Sequence, residues 1–128
     1  MHPAKRVQEY VPVVYTAHSA KTFFMRHHIC LFVLQQGYIP LNPFMNFEYF
    51  LLDTVERNKI RQGNNSYIHI VSEVWTFGPI ADGVREEVLL AERLGKPVKH
   101  FSLKKTLESI KQITRNNLEY EEGVEPLL

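Results

Sequence analysis

Glu86 and Glu87 stand where a carboxylate most readily does chemistry. The stretch from Glu73 to Val98 reads EVWTFGPIADGVREEVLLAERLGKPV, which is a strand, a Gly/Pro/Asp loop, and a helix whose opening turn holds both acids. A helix N-terminus favours negative charge, so a carboxylate there stays ionised and suits an anionic nucleophile. Acidic residues also collect in first turns for the dipole alone, so a purely structural role stays open. A second group, Ser19, Lys21 and Arg26, follows the first apolar run. Hydroxyl, ammonium and guanidinium near a helix start suit a 5′-phosphate, and equally a helix cap with two solvated cations. Arg26 lies more than a turn inside that helix and is the weaker of the two cations. His18, His27 and His28 make no metal site, because adjacent helical residues diverge by about 100° and no acid stands at helical spacing. Cys30 reads as a small core residue.

These groups need a frame. Val11 to Ala17 is short, β-branched and bounded by polar residues, as a buried strand is. Ser19 or Thr22 can cap a helix over about Thr22 to Gln36, which Gly37 ends. Tyr38 to Phe44 reads as a second short strand breaking into a loop at its prolines. A helical stretch follows over about Phe47 to Arg61, interrupted at Gln62 to Ser66 and resuming at Tyr67 to Val71. Glu73 to Gly78 is the strongest strand, and Val84 to Leu94 a helix with Val84, Val88 and Ala91 on one face. Val98 to Phe101 is a last strand. A final helix is expected over about Leu103 to Asn116, with Leu107, Ile110 and Ile113 inward, and then a loose acidic tail over 118–128.

Strands alternating with helices predict an α/β fold, a flavodoxin- or Rossmann-like three-layer sandwich with a mostly parallel central sheet. Ligands of such sheets bind outside the carboxyl ends of the strands, at a switch point. That nominates His18, Ser19 and Lys21 after the first strand, Asn42 and Phe44 after the second, and Gly78 and Gly83 after the third. The Gly-x-Gly-x-x-Gly cradle of dinucleotide folds does not occur. Trp75 and Phe77 belong to the core. Phe44, Phe47, Tyr49 and Phe50 follow the second strand and suit a base-stacking wall, a subunit interface or plain packing.

Bulk composition bounds the function. At 128 residues, the sequence fits one domain, with a core over about 11–116. Its net charge of +1 argues against a nucleic-acid polymer as partner. The single cysteine excludes an internal disulfide framework and a Cys-rich zinc site. No apolar run reaches the ~18 residues of a membrane helix, and Met1 to Tyr10 lacks a signal core, so the expected setting is cytoplasmic.

The sequence resembles the nucleoside 2-deoxyribosyltransferase-like superfamily, which includes nucleotide N-glycoside hydrolases. The matching residues are Val13-Val-Tyr-Thr-Ala17, Glu73-Val-Trp-Thr-Phe-Gly78, Asp82-Gly83, Glu87 with Ala91 four residues on, and Gly95-Lys-Pro-Val98. The resemblance implies a nucleoside or nucleotide N-glycosidase or deoxyribosyltransferase that needs no cofactor and no metal. Glu87 would attack the anomeric carbon, the base would leave, and water or a second base would resolve the glycosyl-enzyme. Tyr15 would position Glu87, and Asp82 would bind a sugar hydroxyl or assist the leaving base, although Asp-Gly is itself a turn signal. The partners implied are a small nucleoside or nucleotide and further copies of the chain, as a homodimer or higher homo-oligomer. Ala81 stands where many relatives carry Ser, and Ser72-Glu73 where an Asp is often found. Both departures favour a second reading, a nucleotide- or nucleotide-sugar-sensing domain without turnover.

Overall fold

The computed structural model describes residues 1–47, 53–104 and 110–128. Its centre is a five-stranded sheet in the order β2-β1-β3-β4-β5. The strands are β1 (Val13–His18), β2 (Ile39–Leu41), β3 (Glu73–Phe77), β4 (Val98–Ser102) and β5 (Lys111–Ile113). The first four pair in parallel, and β5 runs antiparallel to β4. The helices are α1 (Arg26–Gln35), α2 (Pro43–Asn46), α3 (Arg57–Ile70) and α4 (Asp82–Arg93). The protein is therefore an α/β fold on a mixed, mostly parallel sheet.

Side chains alternate across a strand, so each strand serves two cores. Tyr15, Ala17 and Val74 face Ile68 of α3 and Val84, Val88 and Ala91 of α4. Val14, Trp75 and Phe77 face Ile29 and Val33 of α1. Both faces of β1 and β3 are thus covered, which is why these strands read as continuous apolar runs. Trp75 and Phe77 lie in the core, as their place in the strongest strand requires.

The local signals hold in several places. Ser19 caps a 3-10 turn, Ala20–Met25, by accepting from the Lys21 N–H at 3.1 Å. That turn kinks at Thr22 before α1 begins. Gly37 and Gly95 end their helices at positive φ, 88° and 72°. Among the described residues, no helix is long and apolar enough to cross a membrane.

Three expectations are corrected. The interruption at Gln62 to Ser66 does not exist, because α3 runs unbroken from Arg57 to Ile70. Gly63 is there for close packing: a Cβ at that position would lie 2.7 Å from Cζ of Phe47. Tertiary contact outweighs its poor helix propensity. Phe47 itself is not helical, and residues 48–52, with Tyr49 and Phe50, lie outside the described residues.

The final helix expected over Leu103 to Asn116 is also replaced. Lys111–Ile113 forms β5 and Arg115–Asn117 a 3-10 turn, while Leu107 falls outside the described residues. Ile110 packs on the α1 side of the sheet and Ile113 on the α4 side. Three residues apart, they share a helix face but fall on opposite faces of an extended chain. The spacing was read at the wrong period.

The tail is not loose. Leu118 and Leu127 are buried in the α4-side core, and Tyr120 bridges in parallel to Ile80. Ile80 N–H donates to Glu119 O at 2.8 Å, and Glu121 N–H donates to Ile80 O at 2.9 Å. The four acids concealed an apolar set, Leu118, Tyr120, Val124 and Leu127, which anchors the segment.

Candidate active site

Tyr15 is fully buried near the middle of β1, between Leu41 of β2 and Val74 of β3. Its hydroxyl donates to Oε2 of Glu87. The pair links β1 to α4 across the α4-side core. Glu87 is reached in the second turn of α4, because that helix begins at Asp82. At five residues from the start it is largely beyond the dipole's reach. Burial dominates instead, pushing the Glu87 carboxyl up to about 7, while the Tyr15 hydrogen bond pulls in the opposite direction. The expectation of a fully ionised carboxylate is therefore corrected: near neutral pH Glu87 exists in both forms. Burial, and then the charge and hydrogen bond of Glu87, push the Tyr15 hydroxyl well above its usual range, so it remains a donor.

Its neighbours on α4 do not join this pair. Glu86 is exposed and pairs with Arg85 at 3.0 Å. Asp82 is exposed at the first position of α4, about 140° around the axis from Glu87 at 100° per residue. Gly83 faces open space in the same turn. Helical geometry thus separates Asp82 from the half-buried Glu87, and a role on substrate requires a ligand that spans the loop.

The carboxyl end of β1 holds a second, differently built cluster. Asn42 Oδ1 accepts from the Phe44 N–H at 3.0 Å, which orients the amide. Asn42 Nδ2 therefore donates to His18 Nε2 at 3.0 Å. That leaves the proton of neutral His18 on Nδ1, facing Thr22 Oγ1 at 2.9 Å, while Thr22 donates onward to Ser19 O. Burial holds His18 down at about 4, so it stays neutral. Phe44 closes the ring edge-on at 4.9 Å, with Phe23 beyond it at 5.4 Å. His18, nominated after the first strand, and Asn42 and Phe44, nominated after the second, come together here. Both ring nitrogens of His18 are engaged by protein groups.

Ser19 donates its hydroxyl hydrogen to Glu121 Oε2, and Lys21 Nζ lies 3.9 Å from Glu121 Oε1. Arg26 turns away, donating to Phe23 O at 3.0 Å with its guanidinium 3.9 Å from the Phe23 ring centre. Glu121 is the residue that the sequence reading missed. The apolar spacing of Leu118, Tyr120 and Val124 around it was the available signal. Tyr67 was missed too: it lies close to Tyr15, packs against Phe47 and accepts from Asn46 Nδ2 at 2.8 Å. No short motif marks it.

Gly78 turns the chain after β3 at φ 78°. It lines a cavity of about 320 Å³ with Pro79, Leu103, Ile113 and Glu119 among its walls. Neither Tyr15 nor Glu87 lines that cavity. Among the described residues, no three His, Cys, Asp or Glu side chains converge as a metal site would require.

A family model described as "Domain of unknown function (DUF7768)" matches residues 10–101. No curated protein matches the sequence.

Proposed function

The chain belongs to the DUF7768 family, and we propose that it cleaves the N-glycosidic bond of a nucleoside or nucleotide, by hydrolysis or by transfer of the (deoxy)ribosyl group, with Glu87 as nucleophile. The observation that carries this reading is the Tyr15–Glu87 hydrogen bond inside a desolvated wall. A carboxylate needs orientation to attack a sugar carbon, and the buried Tyr15 hydroxyl, donating to Glu87, supplies it. The strand order 2-1-3-4-5 supports a flavodoxin- or Rossmann-like frame, in which ligands sit where β1 and β3 part.

The chemistry then runs in two steps. The ionised Glu87 forms a bond to the anomeric carbon as the carbon–nitrogen bond breaks, and the base leaves with that electron pair and takes up a proton. Water or a second base then attacks the same carbon and frees the carboxylate. The fraction of Glu87 ready to attack grows as pH rises through about 7. Asp82, exposed at the first position of α4, is the acid proposed to assist the leaving base, and Phe44 is the ring proposed to contact it. The site works without cofactor or metal, in the cytoplasm, and a second copy of the chain would complete the pocket.

The test is a panel of ribo- and 2′-deoxyribonucleosides with their 5′-monophosphates, assayed for free base with Glu87→Ala as control. Base release by the wild type that disappears in Glu87→Ala supports the reading, and release that survives it refutes the mechanism. Mass spectrometry after a 2-fluoro-sugar substrate should place the adduct on Glu87. Tight ligand binding without base release would favour the sensing domain.

A further inference from the structure

We propose that Glu121 excludes phosphate from the Ser19–Lys21 corner, so that the site takes an uncharged nucleoside and rejects its 5′-monophosphate. The substrate class named here rests on the N-glycosidase reading. The exclusion of phosphate rests on geometry alone.

Ser19 and Lys21 are the hydroxyl and ammonium that an anion beyond the end of β1 would seek. In this protein Glu121 already holds both: it accepts from Ser19, and its other oxygen faces Lys21 Nζ at 3.9 Å. Its side chain is only 20% exposed, whereas that of Lys21 is 78% exposed. A carboxylate so enclosed keeps its partners, because losing them leaves a poorly solvated charge.

The backbone around Glu121 is equally fixed. Glu119 and Glu121 bracket Ile80 with two backbone hydrogen bonds of 2.8 and 2.9 Å. Further along, Leu127 N–H donates to the Tyr120 hydroxyl at 3.1 Å, and Arg85 Nε donates to Glu125 O at 2.7 Å. The segment is thus tied to α4, the helix that carries Glu87. Ile80 packs in the same cluster as Tyr15, Val84 and Val88. Ser19 lies four residues beyond Tyr15, about 13 Å at ~3.3 Å per residue. In the proposed pose, a ligand seated at Glu87 points its 5′ end past Tyr15 toward the end of β1, where Ser19 holds the Glu121 carboxylate. A 5′-hydroxyl can donate to that carboxylate. A 5′-phosphate meets a like charge and finds its hydroxyl and ammonium taken. The discrimination comes from like charge, because the phosphate would have to approach a carboxylate that is only 20% exposed.

Glu121→Gln keeps the shape and the acceptor for Ser19 while removing the charge. Wild type and variant are titrated by calorimetry with inorganic phosphate, and kcat/KM is measured for nucleosides against their 5′-monophosphates. The expected result is at least a ten-fold preference of the wild type for nucleosides. The variant should lower that ratio at least ten-fold and bind phosphate at least ten-fold more tightly than the wild type. Adding Ser19→Ala should abolish the phosphate gain. If melting shows Glu121→Gln unfolded, Glu121→Ser carries the same comparison. An unchanged ratio together with unchanged phosphate binding would overturn the proposal. So would wild-type turnover of monophosphates as fast as of nucleosides, which would leave the N-glycosidase reading standing. A phosphate gain without base release from any substrate would uphold the exclusion and sink that reading instead.

Discussion

At Tyr15, in the middle of β1, a hydroxyl and a carboxylate meet inside an apolar wall, and burial lifts the carboxyl of Glu87 to about 7. Three and four residues on, at His18 and Ser19, the side chains are engaged by Asn42, Thr22 and Glu121. Burial there acts on a base rather than an acid and pushes His18 down to about 4. The same desolvation moves the two groups in opposite directions, because in each it disfavours the charged form. One region holds a group suspended between two protonation states at neutral pH. In the other, His18 is held neutral and the polar side chains around it are paired. The two regions thus differ in partner count: Glu87 has the Tyr15 hydroxyl, whereas His18 has a partner on each ring nitrogen.

The sharpest way to break this contrast is Glu87→Gln. Base release should fall by more than about 10³-fold with the fold retained, as loss of a nucleophile does. Steady-state assays with circular dichroism as control decide it. Tyr15→Phe should cost about 10²-fold, the scale of one lost oriented donor. It also removes the hydrogen bond that holds the Glu87 carboxyl down. The acidic limb of the pH–rate profile should therefore move to higher pH, and a shift downward would contradict the assignment.

Stability reads the same contrast. Glu87 titrates higher in the folded chain than its ordinary 4.5, so its contribution is full below about 4.5 and lost as pH rises through about 7. His18 titrates lower than its ordinary 6.5, so its contribution is full above that value and lost as pH falls toward about 4. Between about 4.5 and 6.5 the two slopes oppose each other in the wild type. Glu87→Gln should uncover the rising His18 slope, with an amplitude of about 3 kcal/mol across the window. Urea unfolding at a series of pH values measures it, and parallel wild-type and variant curves would refute it.

Smaller effects belong to the satisfied region. Asn42→Ala leaves His18 Nε2 without its donor and removes the cap of α2, and should cost about 1–3 kcal/mol while leaving the acidic limb of the pH–rate profile in place. Lys21→Ala touches only an exposed pair at 3.9 Å and should cost less than about 1 kcal/mol.

The residues themselves mark out much of this architecture. Val13 to Ala17 and Glu73 to Gly78 read as strands because both faces are buried, and a doubly buried strand is a nearly continuous apolar run, broken here by Thr16 and Thr76. Val84, Val88 and Ala91 mark the helix that carries Glu87, and Gly37 and Gly95 mark helix ends. Tyr15 and Glu87, 72 positions apart, are paired in the sequence only by the resemblance to the deoxyribosyltransferase-like superfamily, and the fold brings their side chains into contact.

Other features depend on contacts between distant segments. Gly63 stays helical because the Phe47 ring fills the space of a Cβ. Ile110 and Ile113 read as one helix face until β4 offered its edge to Lys111–Ile113. The tail read as solvated because four acids outweigh its apolar residues in any local window, yet Leu118 and Leu127 find the α4-side core. The titration of Glu87 shows the division most plainly. Sequence alone determined that an acid follows the Gly/Pro loop of β3. Only the tertiary structure decided that it lies beyond the helix dipole and under Tyr15, where burial rather than position along the helix sets its charge.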